Sequence, residues 1–231
     1  MILGISQPTF MPWAGYFAFM DKIDKLVFLD DVQFEKRSWQ QRNKILLNNR
    51  EHLLTISVKS KGKFKQKISE VEISDDKNIQ LIKKKIYYAY NKSPYFLNYY
   101  ENICNILESK LNYLSKINIE LIKFFTKELN IKINFDYSSN YSLNLNKEKL
   151  IFKICKLNKC DQYLTTIGSE NYLKGYSVIP NTNIKISYFK YDDIKYLQLN
   201  DDFIPKLSIL DLLFNEGENS LKILQKSFKL I

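Results

Sequence analysis

Apolar residues gather in short, unbroken runs over the first third of the chain. Ile2 to Ser6 is one such run, stopped by Gln7-Pro8, and an uninterrupted apolar stretch of that length predicts a strand buried on both faces. Pro8–Trp13 reads as a structured loop. From Gly15 to Ile23 the side chains of Tyr16, Phe17, Phe19, Met20 and Ile23 make a broad apolar side, which predicts a helix. Lys25–Asp31 (KLVFLDD) is again too uniformly apolar for a sheet exposed on one face. Strand, helix and strand within about thirty residues predict a βαβ crossover and hence a parallel sheet with helices on its faces. Leu53–Val58 predicts a third strand, Lys61-Gly62-Lys63 a turn, and the alternation over Ile68–Ile73 an edge or half-exposed strand.

The period then changes. Ile79, Ile82, Ile86 and Tyr90 recur at helical spacing within Lys77–Asn91, and Ser93-Pro94 ends that helix. Phe96–Leu114 and Ile117–Leu129 predict two further helices, followed by a strand at Ile131–Phe135. Mixed structure returns with a helix at Lys147–Leu157, a strand near Gln162–Thr165, a turn through Gly168 and a strand at Ile184–Phe189. The segment Ser208–Gly217 carries both helix signals, a serine N-cap and a glycine stop. With no repeat or linker in view, the expectation is a single α/β domain over residues 1–231. Its mainly parallel sheet has flanking helices in a nucleotide-binding-like arrangement, and a helical insertion occupies about 76–130.

Composition narrows the function classes. The chain has 231 residues, 45% of them hydrophobic, which is ample for a core and too apolar for disorder. Residues 1–20 carry no charge, yet Pro8 and Pro12 interrupt any helix there and no basic region precedes the apolar residues, so no membrane insertion is expected. Cys104, Cys155 and Cys160 form no disulfide framework, and a cytoplasmic location follows. The net charge of +10 comes almost entirely from lysine, since only Arg37, Arg42 and Arg50 are arginine. No nucleic-acid-binding pattern accompanies it, so it reads as a solvated surface and nucleic acid is not favoured as a partner.

The unusual residue types concentrate in 7–43, with both tryptophans and two of the three arginines. The loop Gln7–Trp13 follows the first strand and Asp30–Asn43 follows the second. In a parallel sheet both open on the C-terminal edge, where ligands bind. Retained arginines in a lysine-rich chain point to a planar, bidentate fork for phosphate or an oxyanion. Adjacent Asp30 and Asp31 point in opposite directions at a strand end, so one faces the pocket while the other caps the loop, or both cap loops. His52, the single histidine, precedes an apolar strand and reads as ordinary. Cys155 and Cys160, five apart, would lie on different faces of a helix. No metal site, thiol nucleophile or glycine-rich phosphate loop is expected.

The segment QPTFMPWAGYF followed by FLDDVQFEKRSWQQRNKI resembles the signature of the WbqC-like family of bacterial proteins. LTISV at 54–58, KSPYFLNYY at 92–100, YLTTIGSENYL at 163–173 and SILDLLFNEG at 208–217 extend the likeness over nearly the whole chain. One departure is that the family usually has His-Gln-Pro where this chain has Ser6-Gln7-Pro8. The resemblance implies a role in O-antigen or other surface-glycan (lipopolysaccharide) biosynthesis. A fainter likeness to nucleotidylyltransferases and pantothenate synthetase concerns the fold alone, with Gly168-Ser169 before Asn171-Tyr172-Leu173 in the place of a phosphate-holding turn. The expected activity is transfer of an acyl or aminoacyl group to the amino group of a nucleotide-linked amino sugar. The donor would be acyl-CoA or an acyl or aminoacyl carrier protein, with no cofactor held covalently. Asp30 or Asp31 would take the amine's proton, and Arg37 and Arg42 would bind phosphate or polarise the carbonyl. Trp13 and Tyr16 would stack on sugar or base, and Gln7, Gln33, Trp39 and Asn43 would complete the pocket. The alternatives are an ATP-dependent amide-forming ligase or nucleotidylyltransferase-like enzyme, and a non-catalytic module that binds a carrier protein or other partner.

Overall fold

The structure is a computed structural model and describes residues 1–145, 147–173 and 176–231. In chain order it forms β1 (Ile2–Ser6), α1 (Ala14–Met20), β2 (Lys25–Phe28), β3 (Arg42–Leu47), β4 (Arg50–Thr55) and the helices α2 (Asp76–Tyr90), α3 (Phe96–Glu108) and α4 (Leu114–Glu128). β5 (Asn134–Tyr137), α5 (Lys147–Asn158), β6 (Gln162–Thr166), α6 (Glu170–Leu173) and β7 (Lys185–Tyr191) follow, and α7 (Ile209–Glu216), α8 (Ser220–Ser227) and β8 (Phe228–Leu230) close the chain.

Six strands make one sheet in the order β5-β2-β1-β6-β7-β8. Every neighbouring pair is parallel except the last, where β8 runs against β7. The α/β class with a mainly parallel sheet and flanking helices is therefore observed. The central strands are apolar on both faces because both are covered. Leu3, Ile5 and Val27 face one core with Ile154 of α5 and Tyr163. Leu26 and Phe28 face the other, which α1, α2–α4, α7 and α8 fill. Gly4 permits the tight seat of α1 on β1, since a Cβ there would lie 2.4 Å from Phe19 and from Ile23. α4 crosses α1 through the edge-to-face pair Phe17–Phe125, with ring centroids 6.0 Å apart.

The expected Leu53–Val58 strand is shifted and belongs elsewhere. It is β4, paired antiparallel with β3 in a separate two-stranded sheet. Asn48 and Asn49, at φ 53° and 59°, make the two-residue turn whose twist suits a hairpin. The alternation at 68–73 is not a strand. Ile68–Glu70 is a 3-10 turn, its Ser69 N–H donating to Asp30 O at 2.8 Å, and Ile68 and Val71 are both buried by their three-residue spacing. The C-terminal α8 and β8 lay outside the expected elements. Cys160 falls beyond the end of α5, so the helical-face argument does not apply to it. Its thiol turns back toward the Cys155 carbonyl at 3.6 Å, and the two thiols are close enough to perturb one another.

Candidate functional site

β1, β2 and β6 end at Ser6, Phe28 and Thr166 on one edge of the sheet. The loop leaving β1 is the most heavily fixed segment of that edge. Asn118 of α4, fully buried, donates its amide to Pro8 O at 3.0 Å and Gln40 O at 2.7 Å. Asn43 of β3 donates to Phe10 O at 3.2 Å and Met11 O at 2.8 Å. Ser208, the N-cap of α7, donates its hydroxyl to Met11 O at 2.8 Å, and Ile209 N–H reaches Pro12 O at 2.8 Å. Met11 is held at φ 43°, in the left-handed region that a methionine adopts only when its surroundings impose it. The loops after β1 and β2 lie side by side: Phe10 N–H donates to Trp39 O at 2.9 Å, and the Gln40 amide donates to Gln7 Oε1 at 2.9 Å.

Two adjoining cavities open over this edge, about 290 and 460 Å³ in volume, with Ser6, Thr9, Trp13, Tyr16 and Thr166 lining both. The smaller adds Gln7, Thr165 and apolar side chains and has no charged residue in its wall. The larger adds Trp39, Asn43, Lys44 and Lys206. Trp13 is clamped: its ring lies edge-on to Tyr191 at 4.9 Å, and a Cβ at Gly15 would come within 2.3 Å of it. Trp39 is the opposite case, 51% exposed at the rim. Tyr16 is buried, and burial pushes its phenol well above the usual tyrosine range, offset in part by a hydrogen bond with Ser6. It remains a neutral hydrogen-bonding group at any physiological pH. Lys44 pairs with Glu51 at 2.6 Å, while Lys206 sits at φ 58° on the irregular segment after β7.

Of the residues singled out in the sequence, Gln7, Trp13, Tyr16, Trp39 and Asn43 come together in these walls. Asp30 and Asp31 do not. Asp30 is buried and accepts from Ser138 Oγ at 3.1 Å, Ser139 N–H at 3.0 Å and Ser139 Oγ at 2.7 Å. Asp31 also accepts from Ser138 Oγ. Both carboxylates thus tie the β2 loop to the turn after β5, the loop-capping alternative. Gln33 donates to Phe64 O at 3.0 Å, away from the cavities. Arg37 is exposed and Arg42 half-buried, and neither lines a cavity or has an ion-pair partner among the described residues. The Arg42 Nε is buried without a hydrogen-bond partner. Ser6, Thr9, Lys44, Thr165, Thr166 and Lys206 line the cavities without having been expected there. Thr165 and Thr166 had a signal, their place in YLTTIGSENYL, whereas Lys206 is one lysine among many. The turn at Gly168-Ser169 forms, but the Asn171 and Tyr172 side chains lie outside the described residues.

A larger cleft of about 740 Å³ lies between the start of α2 and the end of α3. Several of its charges are engaged within the protein: Glu108 with Lys83 and Gln80, Lys59 with Glu72, Asp75 as the cap of α2. Among the described residues no group of three His, Cys, Asp or Glu could hold a metal ion, and no helix is long and apolar enough to cross a membrane.

The WbqC-like protein family model matches residues 7–223. The chain belongs to this family. This WbqC-like protein is also 30% identical over 217 residues to the uncharacterized protein Rv1507c of Mycobacterium tuberculosis, covering 93% of this chain and 94% of the relative. No solved structure matches it. In the WbqC-like chain the matched span takes in every cavity-lining residue except Ile5 and Ser6, which precede it.

Proposed function

We propose that this protein transfers an acyl or aminoacyl group from a thioester to the amino group of a nucleotide-linked amino sugar, as a step in building O-antigen or another surface glycan. The observation that carries the reading is the split character of the two adjoining cavities. One wall holds two lysines and an exposed tryptophan; the other holds hydroxyls and amides with no charge. A nucleotide sugar has the same split, with an anionic diphosphate and a flat base at one end and a neutral polyol at the other. Lys44 and Lys206 would face the diphosphate, Trp39 the base, and Thr9, Thr165, Thr166 and Gln7 the sugar hydroxyls. The sugar amine would attack the thioester carbonyl. A C–N bond forms, the C–S bond breaks, and the amine's proton leaves with the thiol. No carboxylate or imidazole lines either cavity among the described residues, so the rate would come from orientation and from the charged wall. The same lining gives an ATP-dependent ligase less support, because magnesium triphosphate favours acidic ligands.

Both tryptophans of the chain, Trp13 and Trp39, line the larger cavity, so intrinsic fluorescence reports ligand binding directly. Titration with UDP- and dTDP-linked amino sugars should quench or shift that emission. A bound sugar incubated with acyl-CoA or an acylated carrier protein should release free thiol and gain the acyl mass. Trp39→Ala and Lys206→Ala should each weaken binding by about tenfold with little change in melting temperature. Failure of every amino-sugar nucleotide to bind, or binding indifferent to both substitutions, would refute the assignment.

A further inference from the structure

α2 carries three consecutive lysines, Lys83 to Lys85. Between residues 77 and 92 the chain has five lysines and no carboxylate, whereas α4 mixes Lys116, Lys123 and Lys127 with Glu120 and Glu128. Lys83 is taken by Glu108. Lys84, Lys85 and Lys92 have no ion-pair partner among the described residues. Leu81, Lys84, Lys85 and Tyr88 fall at spacings that put them on one helical face, Lys92 follows just past the helix end, and Leu81 and Tyr88 are 50% and 70% exposed. Arg50, exposed at the tip of the β3–β4 hairpin, adds to the same field: together with Lys85 it helps hold the His52 imidazole below its usual range, after burial. At the C-terminal end of α2 this face runs into a small groove lined by Tyr88, Lys92, Asn48, Asn49 and Leu199. Leu199 lies on the irregular segment that leads to Lys206 in the wall of the candidate site.

We propose that this lysine–aromatic face of α2 is the docking surface for an acidic protein, the carrier that brings the acyl group as its thioester. Uncompensated like charges concentrated on one face speed and orient association with a partner of opposite charge. Exposed Leu81 and Tyr88 among them supply the apolar contacts a protein partner uses and a small anion does not. Identifying the acidic partner as the acyl donor rests on the transferase reading; the docking surface itself does not.

The test uses the full-length protein and a purified, acylated acyl carrier protein of net negative charge, titrated at low and moderate salt. Binding should weaken steeply with salt. The double reversal Lys84→Glu and Lys85→Glu should weaken it by about tenfold or more, and Tyr88→Ser should weaken it independently. None of these residues lines the candidate cavities, so amino-sugar nucleotide binding, read by tryptophan fluorescence, should be unchanged in each variant, and an unchanged melting temperature serves as the check on folding. No binding of the carrier, or binding that survives the reversal, overturns the proposal. So does charge-dependent binding to phosphatidylglycerol vesicles without binding to the carrier, which would make the face a membrane contact. If the carrier docks as expected and no sugar nucleotide binds, the transferase reading fails and the docking surface stands.

Discussion

Asp211 offers the sharpest test of the interior. It lies in α7, fully buried, where its carboxylate accepts from the Tyr196 hydroxyl at 2.8 Å and the Gln198 amide at 2.7 Å. Burial pushes its carboxyl up from the ordinary 3.8 to about 6, and hydrogen bonding with Tyr196, Gln198 and Tyr90 offsets only part of the rise. A carboxyl whose folded pKa is raised binds its proton more tightly in the folded state. It therefore favours folding most below pH 3.8, and the contribution disappears as pH rises through about 6. The whole span is worth on the order of 3 kcal/mol, and the part between pH 5 and pH 8 about 1 kcal/mol. Asp211→Asn removes the charge while its amide oxygen can still accept from Tyr196 and Gln198. Urea unfolding of the two proteins at pH 5 and pH 8 isolates this group by difference. The wild type should lose about 1 kcal/mol more than the variant on going to pH 8, and the variant should be at least as stable there. If Asp211→Asn is destabilised by about 2 kcal/mol or more at pH 8 with the same pH slope as wild type, the ionised carboxylate is a favourable partner in the core and its burial carries no net penalty.

Two further substitutions probe the loop over the strand edge. Asn118→Ala leaves the buried carbonyls of Pro8 and Gln40 without their donor and should lower stability by about 2–4 kcal/mol, seen as a drop in melting temperature and faster proteolysis within 7–13. Gly15→Ala drives a methyl into the Trp13 ring; it should change tryptophan emission and weaken amino-sugar nucleotide binding about tenfold, at a stability cost of about 1–3 kcal/mol that titration on the folded fraction separates from binding.

The sequence carried local pattern well and distant partnership poorly. β1, α1 and β2 were legible because each is a run of one hydrophobic period, and α7 because Ser208 and Gly217 bracket it with the expected cap and stop. β3 was not, since Arg42-Asn43-Lys44 reads as polar loop until Asn43 is seen reaching back to Met11. The turn at Asn48-Asn49 was the signal that could have exposed the hairpin. The loops bearing Gln7, Trp13, Trp39 and Asn43 were legible as site material from residue type and from their place after parallel strands. Asp30 and Asp31 were ambiguous, because what occupies them, Ser138 and Ser139, stands more than a hundred residues away in the chain. Lys206 and Asn118 enter the neighbourhood of the site from helices and loops whose own patterns say nothing about it.

The strand order has a consequence for synthesis of the chain. β1 sits between β2 and β6, with Ile2 opposite Gln162. At a synthesis rate of about 5–20 residues per second, β6 leaves the ribosome roughly ten to thirty seconds after β1. During that interval β1 and β2 can pair, but one edge of β1 keeps its backbone donors and acceptors free, and Leu3 and Ile5 have no β6 or α5 to cover them. β1 therefore keeps an unpaired edge until β6 has been made, and the strand that opens the candidate site is completed only by a segment that follows it 160 residues later in the chain, Ile2 against Gln162.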